Sequence, residues 1–425
     1  MTVATPRRMD NCVAHSIVQG MNVKTDVICV GGGLNGPVTA LALAKAGMHV
    51  TVLDAQPAST ETPRAFDGRA YALSLASKRL LAAIGVWDAV AADAQPMWDI
   101  KVTDGHAGKG PAPWIMHFDR NDLEDGPMGV MVEDRHLRAA LANCMAANGN
   151  IEVLSNAEVT EQSITPSGAR VTLASGQDFT AALLIGCDGR SSGTARRAGI
   201  GRTGWAYDQS GIVCAVAHEK PHDGIAHQFF MPGGPLAILP LTGNRCSIVW
   251  SEQADRAHAL MALPQDQFLE ALQPAFGSFL GPLELIGDRN AFPLGLSIAN
   301  SFVTDRIALV GDAAHGIHPI AGQGLNAGLR DVAALRDVLV SARSRGEDIG
   351  AATTLSRYQS WRQFDVNKLA LATDMFNRLF SNDNPLLRGL RDFGMGAINA
   401  TPALRKRFVL EAAGLSGDVP SLMQR

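Results

Sequence analysis

The sequence lacks several features that would point to other classes of protein. None of its apolar runs reaches about 18 residues, the length that an α-helix needs to cross a bilayer, so no transmembrane helix is predicted. It also lacks a large excess of either charge, since 37 Lys and Arg are balanced by 41 Asp and Glu. No segment combines aromatic with basic residues in the way that nucleic-acid-binding surfaces do. This balance gives no argument for nucleic-acid binding. With 46% hydrophobic residues among 425, the bulk of the chain is too apolar to be disordered.

Cysteine pairs and metal motifs are missing as well. The six cysteines are scattered and contain no CxxC pair: Cys12, Cys29, Cys144, Cys187, Cys214 and Cys246. This usage is typical of small buried side chains in a reducing compartment, so we expect a cytoplasmic protein. His315 and His318 have no third ligand nearby and no HExxH occurs, so no metal site is expected. No GxSxG element follows a strand, which leaves serine hydrolase chemistry unsupported.

The N-terminal residues carry no secretory apolar core. Met1 to Gly20 include Arg7 and Arg8 with a single acid. We interpret 1–21 as a disordered extension, or as the product of an upstream start codon with Met21 as the working one. An organelle presequence is the alternative.

The first informative motif is a glycine-rich turn inside a βαβ unit. A predicted strand at Asp26–Val30 runs into GGGLNG, a helix is predicted over Val38–Ala46, and a second strand over His49–Leu53 ends at Asp54. The acid follows the first glycine by 23 positions. This spacing is typical of a dinucleotide-binding unit, although it does not separate NAD from FAD. The alternative is a glycine-rich turn without a ligand.

Each residue of the turn has a physical task. Gly31 permits the tight turn, Gly33 lets a pyrophosphate approach the backbone, and Gly36 lets the helix pack closely on the strand. The helix N-terminus offers free N–H groups and partial positive charge to the phosphates. Asp54 would accept hydrogen bonds from a ribose diol.

Two further motifs favour FAD. Leu183–Gly189 (LLIGCDG) predicts a strand that ends in an Asp-Gly turn. In the second of these motifs, a predicted strand at Arg306–Val310 runs into Gly311 and Asp312, and a helix is predicted from about Leu325. A carboxylate at a strand end suits a flexible polyol, and a helix N-terminus opened by glycines would stabilise the anionic reduced flavin.

In this order, the segments GGGLNG…LD, CDGRSS and GDAAHGIHPIAGQGLNAGLRD resemble the class A flavoprotein aromatic hydroxylases. HPIAGQGLNAGLRD is similar to the signature of the ubiquinone-biosynthesis hydroxylases, and the resemblance covers nearly all of 26–414. It includes DGRAYALS, IGVW, GPLAILPL and FSNDNPLLRGLRDFG.

The resemblance implies a set of cofactor-binding residues. They are Gly31, Gly33, Leu34, Asn35, Gly36 and Asp54 for the ADP half of FAD, Gly311 and Asp312 for the ribityl chain, Pro319, Gly322, Gly324, Leu325 and Asn326 against the isoalloxazine ring, Arg69 and Arg135 facing the flavin or its phosphates, and Asp188 and Gly189 for FAD and the nicotinamide cofactor. The sequence departs from the family at Ala195, where an arginine is usual, and Arg196 stands next to it. Either a one-residue shift restores that contact or it is lost.

We expect an α/β fold with two domains. The predicted parts are 1–21 (extension), 22–204 and 291–345 (Rossmann-like FAD-binding domain), 205–290 (antiparallel-sheet substrate layer) and 346–425 (C-terminal helical region). A pocket between the sheet and the flavin is expected. Phe229, Met231, Leu236 and Ile238 are candidates to line it, with plain core as the alternative for each.

The resemblance implies a monooxygenase. NAD(P)H would reduce the flavin, O2 would give a flavin C4a-hydroperoxide, and its distal oxygen would pass to the ring of a polyprenylated phenol. No motif singles out a catalytic residue. A lipid substrate implies peripheral contact with the inner membrane, and a ubiquinone-biosynthesis protein complex is a further expected partner. The mildly basic segment 378–425 is either the surface for such contacts or a helical bundle packed on the FAD domain.

Two other interpretations stay open at this point. A flavin oxidase, dehydrogenase or halogenase acting on another small molecule is the first, although a WxWxIP halogenase motif is absent. A flavin-free scaffold within a biosynthetic complex is the second.

Overall fold

The computed structural model describes residues 25–58, 65–106, 110–122, 126–317, 322–380 and 401–425. The predicted extension at 1–21, Pro319 and most of the segment FSNDNPLLRGLRDFG lie outside the described residues.

The described chain alternates strands and helices before it ends in helices. The strands are β1 (Val27–Val30), β2 (Val50–Leu53), β3 (Ala70–Ser74), β4 (Gln95–Met97), β5 (Asp99–His106), β6 (Gly110–Phe118), β7 (Gly129–Glu133), β8 (Ile151–Leu154), β9 (Val159–Thr165), β10 (Gly168–Leu173), β11 (Asp178–Ala181), β12 (Leu183–Gly186), β13 (Arg202–His218), β14 (Ile225–Met231), β15 (Gly234–Leu241), β16 (Arg245–Gln253), β17 (Leu283–Ala299), β18 (Val303–Thr304), β19 (Ile307–Leu309) and β20 (His315–Gly316). The helices are α1 (Asn35–Lys45), α2 (Leu75–Ala83), α3 (Asp134–Ala146), α4 (Gly193–Arg197), α5 (Ala254–Ala262), α6 (Gln265–Phe276), α7 (Gln323–Ser344), α8 (Ala352–Phe380) and α9 (Pro402–Ala412).

The first layer is a six-stranded sheet in the order β18-β19-β12-β1-β2-β8. All its pairs are parallel except β18–β19. The strands β1, β2 and β12 are buried along their whole length, as expected for a parallel sheet covered on both faces. The predicted βαβ unit is confirmed, with ends that shift by one to three residues. Because β19, β12 and β1 are neighbours, the loops after their carboxyl ends lie side by side.

The second layer is an eight-stranded sheet in the order β20-β17-β13-β16-β15-β14-β5-β6. Its pairs are antiparallel apart from β14 and β5, which run parallel. The four segments predicted as strands, GIVCAV, HQFFM, LAILPL and CSIVW, are strands. The sheet extends beyond the predicted layer of 205–290, because β5 and β6 join it from 99–118 and β17 continues to Ala299. Pairing between segments that lie more than 100 residues apart leaves no local sequence signal.

One face of this sheet is covered by α5 and α6. Leu236, Ile238 and Trp250 are fully buried there against Phe268 and Leu272 of α6. Phe229 and Met231 belong to the same cluster. Leu236 and Ile238 are therefore plain core, the alternative given for them. Phe229 is only partly buried on the same face, and Met231 lines a cavity there.

The opposite face of the sheet packs on a three-stranded sheet in the order β3-β7-β4. Leu239 and Leu241 of β15 point to this side because strand side chains alternate. They join a cluster with Met131 of β7 and Ala72 of β3. A Cβ at Gly322 would lie 3.1 Å from the Cβ of Ala72, so this face borders the start of α7.

The described residues after 350 are mainly helical, as predicted. Helix α8 packs on α7, and Val409 of α9 packs with Leu75 of α2. Within the described residues, no helix combines the length and hydropathy that a membrane span requires.

Candidate functional site

The three sequence motifs meet at one edge of the parallel sheet. A Cβ at Gly31 would lie 2.5 Å from the carbonyl oxygen of Cys187, so the loops after β1 and β12 touch. The Asn35 side chain occupies the space where a Cβ of Gly311 would stand, which joins the first loop to the loop after β19. Arg190 Nε lies 3.3 Å from Asp312 Oδ2, which joins the loop after β12 to the loop after β19. Segments about 300 residues apart thus form one continuous surface.

The first loop has the shape of a phosphate cradle. No atom lies within 4 Å of the Cβ position of Gly33, so its backbone faces open space. A Cβ at Gly36 would overlap the carbonyl oxygen of Gly31, because α1 sits tightly on β1 at this point. Helix α1 begins at Asn35, directly after the buried Leu34, and its first N–H groups have no partner within the helix. The residues present fit a pyrophosphate at Gly33.

Asp54 directly follows β2 and lies beside the same loop. Its Oδ1 accepts a hydrogen bond from the Gln56 N–H at 3.2 Å. A Cβ at Gly32 would overlap its Oδ2, so the carboxylate lies directly over the glycine turn. This position suits a carboxylate that accepts from a ribose diol.

A residue that the sequence analysis did not single out lies next to the cradle. Arg138 of α3 lines a small groove with Gly32, Gly33 and Pro37. Its Nε donates to both carboxylate oxygens of Asp134 at 2.8 Å, which fixes the guanidinium at the groove. The helical spacing of the groove-lining residues of α3, at 138, 141, 142 and 145, is the signal that could have identified it.

The two arginines named from the sequence have carboxylate partners. Arg69 pairs with Asp67 at 2.7 Å and with the buried Asp134 at 3.1 Å. Arg135 Nε donates to Glu133 at 2.7 Å. Neither residue lines the groove beside Gly33, although Arg69 shares Asp134 with Arg138.

The Asp-Gly turn after β12 is held by its own aspartate. Asp188 accepts from Ser192 Oγ at 2.5 Å and from the Thr194 N–H at 2.8 Å, which ties the turn to the start of α4. Gly189 adopts a φ of +76°, the region that glycine tolerates best. Ala195 is buried in α4, whereas the neighbouring Arg196 is exposed.

The third motif is fixed from the eight-stranded sheet. Arg202, the first residue of β13, donates to the carbonyl oxygens of Asp312 at 3.2 Å and Ala313 at 2.5 Å, and to Ser297 Oγ at 2.8 Å. The Asp312 carboxylate is half-exposed beside Arg190. Gly311 has a φ of +63°, which a side chain would strain. The arrangement presents a carboxylate at a strand end, as binding of a polyol chain requires.

Helix α7 begins at Gln323, close to the predicted Leu325. Gly322 precedes it with a φ of +64°, and no atom lies within 4 Å of the Cβ position of Gly324. Asn326 is buried, accepts from the Ser74 N–H at 2.8 Å and donates to the Ala72 carbonyl at 2.8 Å. The amide of Asn326 therefore fixes the start of α7, where the first N–H groups form the positive end of the helix. This fits the flavin ring that the resemblance implies.

A buried ionic cluster underlies the third motif. His315 Nε2 donates to Asp331 Oδ2 at 2.6 Å, and both side chains have no exposed surface. Arg362 of α8 donates to Asp331 Oδ1 at 2.8 Å. Burial by itself raises the pKa of Asp331, but His315 and Arg362 outweigh it and hold this pKa below its usual value. Asp331 is therefore a carboxylate at neutral pH.

A cavity of about 670 Å³ lies elsewhere, near the turn between β14 and β15. Trp250, Glu252 and residues of α6 line it, on the face of the sheet that α5 and α6 cover. It touches none of the three motifs.

Comparison with known sequences gives a consistent result. The FAD binding domain family matches residues 24–369. The chain is 42% identical over 402 residues to the ubiquinone hydroxylase UbiL of Rhodospirillum rubrum, covering 94% of this chain and 92% of that protein. It is 36% identical over 396 residues to the 3-demethoxyubiquinol 3-hydroxylase of Escherichia coli, covering 93% of this chain and all of that protein.

A similar fold occurs among solved structures. The p-nitrophenol 4-monooxygenase PnpA of Pseudomonas putida superposes with a TM-score of 0.76 at 20% identity, over 93% of this chain and 98% of that one. This likeness confirms the predicted α/β fold with a Rossmann-like FAD-binding domain.

Proposed function

We propose, on the premise that the chain belongs to the FAD-binding family that includes the ubiquinone-biosynthesis hydroxylases, that it hydroxylates the aromatic ring of a polyprenylated phenol on the route to ubiquinone. NAD(P)H supplies the electrons and O2 supplies the oxygen atom. FAD, when bound, supplies the redox and oxygen chemistry.

The observation that carries the proposal is the meeting of three loops at the ends of β1, β12 and β19. In this assignment Gly33 and Arg138 hold the pyrophosphate, Asp54 holds the ribose and Asp312 holds the ribityl chain. The N–H groups at the start of α7 stabilise negative charge on the reduced ring, through the same donors and dipole that favour anions at any helix N-terminus. These groups are spread over about 290 residues of chain, from Gly33 to Gln323, and serve one extended ligand.

The substrate layer suits an apolar phenol. The face of the eight-stranded sheet next to α7 carries Leu239, which is partly exposed beside the fully buried Leu241, Ala215 and Met131. An apolar wall at this place excludes water from the reacting atoms, which protects a reactive oxygen species from decay. It offers hydrocarbon contact to the ring and the first prenyl units of a substrate.

The reaction is tested with the purified holoenzyme, NADH or NADPH, a short-chain prenylphenol and 18O2. The expected product is heavier by one 18O atom, with NAD(P)H consumed in a 1:1 ratio. Hydrogen peroxide without a hydroxylated product would support the oxidase alternative, and a protein that stays colourless after FAD addition would support the scaffold. Deletion of the gene should accumulate a quinone precursor that lacks one oxygen, detected by mass spectrometry of extracted lipids; unchanged quinone levels would contradict the proposal.

We further propose that α8 contacts the membrane that holds the lipid substrate. Phe364, Leu371 and Met375 are 73%, 62% and 60% exposed, and their spacing puts them on one face of the helix. Trp205 Nε1 donates to Asp374 of α8 at 3.2 Å, which brings this part of the helix to the edge of the substrate sheet. The apolar stripe Phe364/Leu371/Met375 is thus next to the layer where the substrate would enter.

Flotation with vesicles of phosphatidylethanolamine and phosphatidylglycerol tests this contact. Replacing the three stripe residues with serine should abolish flotation and leave FAD binding intact. The matched control replaces Val153 and Ile164 with serine, since they are exposed apolar residues of β8 and β9 at 44% and 37%. Equal flotation of all variants would contradict a membrane role for the stripe, and loss of a co-purifying protein would assign it to a protein partner.

A further inference from the structure

We propose that Asp331 is a positioning residue that, through His315, fixes the loop carrying Gly311 and Asp312 in the shape that binds FAD. The inference rests on the proposed place of the cofactor at that loop. Asp331 and His315 touch the loop and each other, and are assigned no direct contact with the cofactor.

The geometry makes Asp331 a three-way anchor. Its Oδ2 accepts the Gly311 N–H at 3.0 Å and His315 Nε2 at 2.6 Å, and its Oδ1 accepts Arg362 Nε at 2.8 Å. One carboxylate oxygen thus holds both ends of the turn 311–315, with the Asp312 side chain between them. A rigid turn offers that carboxylate in one position, which lowers the entropy lost when a ligand binds.

Burial makes this anchor stiff. Asp331 and His315 have no exposed side-chain surface, and Arg362 is 2% exposed. In such a low-dielectric environment, charge-assisted hydrogen bonds are short and strong, and an unpaired charge is costly. The turn therefore has one favoured arrangement as long as Asp331 keeps its hydrogen bonds to Gly311 and His315.

The position of His315 in the chain explains its effect on the ligand site. It follows Asp312 by three residues and forms the short strand β20, where it pairs with Ile298 of β17 in the substrate sheet. His315 thus links the turn to both layers of the molecule. Its Nδ1 is buried and has no hydrogen-bond partner among the described residues, so Asp331 is the side-chain partner that orients the ring there.

Arg362 provides the matched control. It binds the same carboxylate but on the other oxygen, and it lies on α8, away from the turn. Arg362 also pairs with Asp365 at 2.7 Å. Removing Arg362 weakens the ionic cluster without removing a hydrogen bond to the turn, whereas removing His315 releases one end of the turn.

The experiment compares His315→Leu, His315→Gln and Arg362→Gln in the full chain. FAD is titrated into the FAD-free protein, and its affinity is obtained from the change in flavin fluorescence. The melting temperature of the FAD-free protein is measured by circular dichroism, and the visible spectrum of the bound flavin is recorded at saturating FAD. We expect His315→Leu to raise the Kd for FAD about 10- to 100-fold, the range known for loss of groups that orient metal-binding side chains. The bound flavin spectrum should shift as well.

The other variants separate positioning from general stability. His315→Gln keeps a donor for Asp331 and should restore most of the affinity. Arg362→Gln should lower the melting temperature at least as much as His315→Leu and change the Kd by less than about threefold. Kd values that follow the melting temperature across all variants would overturn the inference, as would a normal Kd and spectrum in His315→Leu. Wild-type protein that binds no FAD would instead refute the proposed function.

Discussion

Two glycines of the first motif should respond to alanine in opposite ways, although they stand only three positions apart. At Gly36 a Cβ would overlap the backbone carbonyl oxygen of Gly31, so helix and strand must separate to admit it. Overpacking of this kind costs about 1–3 kcal/mol, and backbone relief puts Gly36→Ala at the upper end. The better helix propensity of alanine returns about 1 kcal/mol. We therefore expect a net loss of about 2 kcal/mol in the free energy of unfolding.

At Gly33 the Cβ position is open, so the FAD-free protein should tolerate alanine. Its stability should stay level or rise by about 0.4–1 kcal/mol, because alanine restricts the unfolded chain. The same methyl group points into the space assigned to the pyrophosphate. Losing one charge-assisted N–H to phosphate hydrogen bond costs about 1.5–3 kcal/mol, which weakens FAD binding about 10- to 100-fold.

The assay measures both quantities on both variants: the melting temperature of the FAD-free protein and the Kd for FAD from fluorescence titration. Gly33→Ala should raise the Kd without lowering the melting temperature, and Gly36→Ala should lower the melting temperature by a few degrees. If Gly33→Ala binds FAD as tightly as the wild type, the pyrophosphate does not lie over this residue and the cradle assignment fails.

Three further predictions concern single side chains. Arg138→Gln should raise the Kd for FAD about tenfold and flatten its dependence on salt, because a cation at the cradle is lost; an unchanged salt dependence in the titration would count against it. Burial, helped by Lys101, lowers the pKa of His227 to about 4, below the value of 6.5 in the unfolded chain. As the pH falls, this histidine is therefore protonated in the unfolded chain before it is protonated in the folded protein. Stability should then fall by about 2–3 kcal/mol between pH 6.5 and 4, and denaturant melts of His227→Gln should show a shallower fall. Ile238→Ala should lower the free energy of unfolding by about 2–5 kcal/mol, since that side chain is fully buried. Leu239→Ala should mainly raise the KM for the phenol. If Leu239→Ala has the same KM as the wild type, the substrate does not lie on the Leu239 face of the sheet.

The sequence was most informative where function and fold coincide. The glycines of the first loop, the Asp-Gly turn and Gly311-Asp312 each stand at a strand end, and buried apolar strands are easy to identify. Their meeting follows from strand order, which the family resemblance supplied and local pattern alone did not. The assignment of individual residues to FAD stays a prediction.

The sheet faces were harder to predict for a physical reason. The strand GPLAILPL is apolar at nearly every position, so its sequence gives no alternating signal. In the structure, however, Ile238 faces α6 and Leu239 faces β3 and β7. A register choice of one residue exchanges the two faces. Arg138 was missed because it follows Arg135 by one helical turn, and only the packing of α3 on the glycine loop distinguishes them.

Asn35 links distant parts of the chain in a way that restricts how the protein can change. Its side chain fills the space beside Gly311, and a Cβ at Gly328 would lie 2.7 Å from its amide nitrogen. These three positions therefore share one small volume, and any gain in size at one must be matched by a loss at another. A variant library that samples them singly would find each of them intolerant, whereas acceptable combinations are reached only by changing residues nearly 300 positions apart at the same time.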